Sequence, residues 1–384
     1  MCGKELPHGA ALGGMTSFGM GTGERSVGAG RVAATRLYDL AYEIDLDRLE
    51  QDFRESATRL TFVRARPKAV SYARAPVDIN LGPTQLQLGD RQAEADVTAR
   101  IYGFGAARLS FAVSADGLEW SEYERLVDDM SRLLERASPW ADDIDRVREL
   151  IAPALEKPTS TGIEVDYVFA TVRSFDPPLA GEDVLEELDL VPVLTGDVRD
   201  LSERAHRDVL SHAYSYYRDD LVVISWSRAL ILEPAGDTDV ADILAVAHAQ
   251  LLEFRYYDER LDAELSRMYD RIEQARRAFS ALARRRHASL ARSLHALLAE
   301  VTEVSERIEN ALVVTEDVYL AKVYEAAIDQ FRVRSWEAAV DKKLTIIRET
   351  YTALYDEAAT ARSEYLELAI VLLIVLEIVL AVLS

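Results

Sequence analysis

Two carboxylates and one run of arginines are the residues of this 384-residue chain whose types and positions could do chemistry, and all lie in its C-terminal third. Glu377 interrupts an otherwise aliphatic stretch, 366–383. An ionised carboxylate at bilayer depth costs roughly 3 kcal/mol, so it would there be protonated, hydrogen-bonded between neighbouring helices, or turned toward a pore. Asp258 occupies a heptad position that would otherwise be apolar. Such a residue fixes register or partner number in a coiled-coil seam, and it can pair with Arg255 or another cation. The third feature is basic: Arg276, Arg277, Arg284, Arg285, Arg286 and Arg292, with no acid between Glu273 and Glu300. It reads as a helix face that docks acidic surface of the same or a neighbouring chain, or as a contact for RNA, ribosome or anionic lipid. Phe279 alone interleaves it, so it is no base-stacking surface.

No enzyme is legible. The six histidines (His8, His206, His212, His248, His287, His295) form no His-Glu-x-x-His or Cys/His pattern. Walker A, Gly-x-Ser-x-Gly and kinase motifs are missing as well. Gly103-Phe104-Gly105 lacks the third glycine of a dinucleotide loop. The expectation is no catalytic residue, no cofactor and no metal. The single cysteine, Cys2, excludes an intrachain disulfide framework.

The elements that would position these residues fall into two halves. Period-two patterning places strands at 32–44, 69–73, 84–88, 96–113 and 163–175, and a hairpin at 211–233. Helical spacing marks 45–57, 121–137, 141–155, 182–188 and 201–210. From Asp237 to Ser384 there is neither glycine nor proline, which argues for long helices. Three heptad seams run from Leu244 to Phe279, from Leu290 to Ala311 and from Val340 to Tyr365. The chain is thus predicted as α+β, with a mixed, mostly antiparallel N-terminal sheet domain, then long coiled-coil helices and a C-terminal transmembrane helix. The divisions are a flexible glycine-rich leader (1–30), an acidic domain (31–236), a helical stalk (237–365) and an anchor (366–384).

Charge is uneven. Residues 1–264 hold 28 basic and 48 acidic residues, whereas 265–365 balance at 16 each. A domain so acidic repels nucleic-acid backbone, which leaves the Arg276 to Arg292 stretch as the one place for such contact. The 18 residues 366–383 would make a helix of about 27 Å, near the short limit for a single pass. Placed at the chain's end, this anchor implies tail-first, post-translational insertion. The bulk would face the cytoplasm, or the matrix in a mitochondrion.

The C-terminal third resembles the "required for meiotic nuclear division" family of mitochondrial and bacterial membrane proteins. The resemblance rests on the run 366–377 with Glu367 and Glu377 ten residues apart, on the acidic-aromatic helix 251–258, and on 318–340 with Trp336. It implies a membrane-anchored coiled-coil protein that supports translation, with no catalytic residues to carry over. The function expected is a non-enzymatic, tail-anchored, homo-oligomeric scaffold, bound to lipid through 366–383 and recruiting an unidentified protein partner. The alternative is an ion-conducting or ion-sensing membrane oligomer of CorA-like plan.

Overall fold

The computed structural model describes residues 25–55, 62–64, 70–72, 75–159, 162–197, 199–236, 238–277, 312–314, 317–350, 352–353 and 370–374. Its first half comprises β1 (Ser26–Asp39), β2 (Ala41–Ile44), α1 (Leu46–Glu55), β3 (Phe62–Arg64), β4 (Val70–Tyr72), β5 (Val77–Leu88), β6 (Arg91–Ile101) and β7 (Ala106–Ser114). Two helices follow, α2 (Trp120–Leu134) and α3 (Trp140–Ile151), then β8 (Leu155–Pro158) and β9 (Glu164–Asp176). Short helices α4 (Gly181–Glu187), α5 (Val191–Thr195) and α6 (Glu203–Leu210) lead to β10 (Ala213–Tyr214), β11 (Leu221–Ile224) and β12 (Arg228–Leu232). The chain continues as α7 (Asp239–Arg277), β13 (Leu312–Val314), α8 (Val318–Gln330) and α9 (333–350).

Nine strands form one sheet in the order β10-β11-β12-β9-β1-β7-β6-β5-β3. Every pair is antiparallel except β12 beside β9. Helices cover both faces. On the first, α2 presents Tyr123, Leu126, Val127, Met130 and Leu133 at helical spacing, and α3 adds Trp140, Ile144, Val147 and Ile151. On the second, α7 packs over β1 and β9, with α8 beside it. β1 records this sandwich directly. Residues 32–39 are buried on both faces, so the strand does not alternate. In β6, by contrast, Ala95, Val97, Ala99 and Ile101 are buried while Glu94, Asp96 and Thr98 are exposed. The second face is therefore open where β6 crosses it.

Gly103 and Gly105 belong to the turn from β6 to β7. Gly105 has φ +106°, and a Cβ there would stand 1.9 Å from the Ala41 carbonyl oxygen. Its own carbonyl accepts from Leu40 and Ala41 N–H at 3.0 and 3.2 Å. The pair is a backbone crossing point, not a nucleotide loop.

Three expectations change. Among the described residues no helix is long and apolar enough to cross a membrane. The predicted C-terminal transmembrane helix is corrected accordingly, and with it the membrane and tail-anchored assignment, the single-pass localisation and the inferred facing of the bulk. Of 366–384 the described part is 370–374, a helical piece of about 7.5 Å with exposed side chains. The described part of the stretch is too short to cross a hydrocarbon core of about 30 Å.

The first seam is also not a free stalk. Leu244, Ala247, Leu251, Leu261 and Met268 are buried in the core that α7 shares with the sheet, α8 and α9. Val340 and Ile347, from the third seam, join the same core. Phe331 meets His248 while Lys343 meets Asp258 and Asp262, so α9 runs alongside α7 in the same direction. The glycine-free run further includes the strand β13, paired with β4. At the other end, β1 begins at Ser26, inside the segment read as leader, and pairs with β9 from that residue on. The second seam, 290–311, lies outside the described residues.

Candidate functional site

β10 ends the sheet, and its corner is aromatic. Tyr216 and Tyr217 follow it in the turn to β11 and are 60% and 65% exposed. Their rings meet edge to face at 4.7 Å, and Tyr216 also lies 5.5 Å from Tyr319 at the start of α8. Carboxylates hold the pieces in place. The Tyr216 N–H donates to Asp220 Oδ1 at 2.7 Å, and the Tyr319 and Leu320 N–H groups donate to Asp317 Oδ1 at 2.8 and 3.2 Å. Asp317 is the N-cap of α8, the position where a carboxylate satisfies free helix amides. Burial, then the negative charges of Asp220, Glu233 and Asp317, push the Tyr319 hydroxyl well above its ordinary pKa. The corner thus combines π faces with negative potential, the combination that attracts organic cations. Further along the same edge Arg332 stacks over Trp226 at 5.9 Å, an example of that contact.

The second face holds a buried imidazole. His248 of α7 is 5% exposed, stacked on Phe331 at 4.0 Å and tilted against Tyr167 at 4.3 Å. Burial, helped by the Arg108 charge and opposed by the Leu244 backbone, lowers its pKa to about 3. It is neutral at any ordinary pH. Thr35, Arg108, Tyr167 and His248 line a cavity of about 10 Å³, room for roughly one water. The Thr35 hydroxyl is already committed, donating to the Tyr167 carbonyl at 3.0 Å.

Several arginines are fixed by carboxylates. Arg100 of β6 pairs with Asp78 at 2.7 Å and with Asp242 of α7, which pins the start of that helix to the sheet. Burial alone would depress its pKa; these partners outweigh that and hold it raised. Arg36 pairs with Asp166 at 2.6 Å and Glu164 at 3.1 Å, and Arg228 reaches Asp128 at 2.7 Å. Arg31, Arg108 and Arg173 have no such partner among the described residues.

Of the residues singled out from sequence, Asp258 is placed most clearly. Lys343 Nζ of α9 sits 2.7 Å from its Oδ1 and 2.7 Å from Asp262, so its partner comes from the same chain. Arg255 instead donates to the Glu164 carbonyl at 3.1 Å. Arg276 and Arg277 fall at the end of α7, where only the backbone is described; Arg284, Arg285, Arg286, Arg292 and Glu377 lie outside the described residues. The tyrosine corner went unnoticed in the sequence because 211–233 reads simply as a hairpin. Adjacent tyrosines in a turn, where apolar bulk has no core to enter, were the available signal.

The fold and these surfaces define a three-layer sandwich domain that presents an edge and an open sheet face. No group of three or more metal-ligating side chains occurs among the described residues. Residues 29–238, more than half of the chain, match the family described as "Uncharacterized protein MJ0711, N-terminal domain", and the chain belongs to that family. The MJ0711 protein of Methanocaldococcus jannaschii is 27% identical over 195 residues, which cover 50% of this chain and 58% of that protein. No solved structure matches the chain. Nothing in these matches links it to the "required for meiotic nuclear division" family.

Proposed function

We propose that this chain is a non-enzymatic recruiting module that holds a protein partner through a cationic side chain at the tyrosine corner. One observation carries the reading. Tyr216 and Tyr217, each more than half exposed, meet edge to face, and Tyr216 lies against Tyr319, whose hydroxyl is in the field of Asp220, Glu233 and Asp317. Aromatic side chains exposed in a group are characteristic of contact surfaces, and three carboxylates behind them select positive charge. Because β10 closes the sheet, an extended peptide can run beside it while a lysine or arginine enters the corner. The ion-conducting alternative depends on the membrane segment and is not carried further.

The test uses the full chain and calorimetric titration with short peptides carrying lysine, trimethyllysine or uncharged norleucine at one position. Cation–π contact contributes about 0.5–2 kcal/mol, so the cationic peptides should bind about tenfold more tightly than the norleucine form. Tyr216→Ala and Tyr217→Ala should abolish that preference without changing the melting temperature, since both rings are exposed. Equal binding of the norleucine peptide, no binding of any peptide at millimolar concentration, or an unchanged preference in both variants would each remove the proposal.

A further inference from the structure

In a region with 48 acids against 28 bases, two arginines without a carboxylate partner among the described residues share the second face of the sheet, and a third stands near them. Strand register places them. Arg31 of β1 faces Ser114 of β7 and Thr171 of β9, and Arg108 of β7 faces Leu37 of β1 and Arg100 of β6. Arg173 is the extra residue of a bulge between Val172, opposite Gly30, and Ser174, opposite Ala29, and its charge is close enough to act on Arg31. Between the two cationic rows the face is floored by small residues, Ala33 opposite Ala112. Arg108 leans along the sheet toward that floor, with its guanidinium 6.0 Å from the ring of Phe169, itself the partner of Ala33 in β9.

The charges are crowded. Arg31 is an exposed residue by area, yet the protein atoms around its guanidinium and the neighbouring Arg108, Arg100 and Arg173 lower its pKa against the pull of Asp96. Neutral donors stand beside them: Ser110 is half-buried, and Thr98 of β6, its cross-strand partner, is exposed. The cavity beneath Arg108 holds no more than about one water, so a ligand would lie on the face and not under α7.

We infer that this face binds a phosphate group between Arg31 and Arg108, with Arg173 at the rim and the Ser110 and Thr98 hydroxyls as additional donors. Guanidinium groups outside salt-bridge reach of a carboxylate, with nearby hydroxyls, suit a compact, multiply charged oxyanion, for which arginine offers paired donors. The surrounding acidity disfavours an extended polyanion such as nucleic acid. Asp96, opposite Ala112, bounds the site on the β6 side. A second phosphate would be repelled there, whereas a hydroxyl or ammonium group would be accepted. The ligand class is therefore a monophosphate, either free phosphate or a phosphomonoester with a hydroxyl- or amine-bearing remainder. This site uses β1, β6, β7 and β9 and stands independently of the tyrosine corner.

Calorimetric titration of the full chain with inorganic phosphate and with glycerol phosphate, at constant ionic strength, tests the assignment. Binding by either, weakened tenfold or more in Arg31→Gln and in Arg108→Gln and unchanged in Arg132→Gln on α2, is the expected result. A tighter ester marks an organic monophosphate as the ligand, and equal affinity marks the free anion; both support the site. Melting curves confirm that the variants are folded, and Arg31→Gln, at an exposed position, keeps the test valid where Arg108→Gln disturbs the core. Folded protein that binds neither compound at 10 millimolar (roughly the weak end of specific binding), or binding equal in all three variants, overturns it.

Discussion

Replacing His248 by phenylalanine should flatten the loss of stability that acid causes in this protein. The imidazole is enclosed by Phe331, Tyr167 and Arg108, and its folded pKa is about 3 against 6.5 for the free side chain. Below pH 6.5 the unfolded chain therefore takes up a proton that the native state refuses. Native stability from this group is complete above pH 6.5 and declines as pH falls toward 3. Each pH unit in that window is worth about 1.4 kcal/mol, so the loss between pH 7.5 and 4.5 is about 2.7 kcal/mol. Over the whole window it approaches about 5 kcal/mol, an upper figure because solvent entry would relieve it. A phenyl ring can occupy the same stack between Phe331 and Tyr167 and carries no proton. Neither Arg108 nor Tyr167, the titratable groups facing the ring from β7 and β9, changes charge in this range. Urea unfolding at the two pH values, for wild type and His248→Phe, isolates the effect, because carboxylates shared by both proteins cancel in the difference. A loss equal in the two proteins within about 0.5 kcal/mol, the usual mutational scatter, would refute the argument.

Two further outcomes follow from the packing of the second face. Lys343→Met strands Asp258 beneath α9 and should cost about 3 kcal/mol in denaturant unfolding, largely restored by adding Asp258→Leu; Asp262 is exposed and contributes little. A chain ending at residue 238, where the family match stops, loses α7 and uncovers Leu37, Val165, Phe169, Val222, Ile224 and Ile231. At about 1.5–3 kcal/mol for each large side chain, the loss is on the order of 10 kcal/mol, comparable with the whole stability of a domain. That fragment should aggregate and bind hydrophobic dye, and a sharp, monomeric melt like that of the full chain would contradict the reasoning.

How much was legible differs element by element. Hydrophobic spacing in α2 and α3 is strong, because each buries one stripe against one sheet face. The stripe through Leu244, Leu251 and Leu261 is equally strong, yet its partner was misjudged: a helix with apolar residues three and four apart buries the same stripe against a sheet or against another helix. Asp258 shows the same limit. Its polarity within the seam is plain in the chain, whereas Lys343, 85 residues later, meets it only in the fold. The open sheet face was less visible still. Arg31 and Arg108 are far apart in sequence, and only the register of β1 and β7 sets them on one surface.

The amino-acid order alone determined which residues are apolar, where glycine and proline interrupt the chain, and that acids crowd its first two thirds. Those are local or additive properties, and they suffice to mark strands, helices and the lack of enzyme motifs. Tertiary structure decided the rest. It laid the glycine-free helix across the sheet instead of extending it as a stalk, and it turned Tyr216 and Tyr319, over a hundred residues apart, into one corner. Burial free energy depends on which surfaces meet, and a period along the chain names the surface without naming its partner.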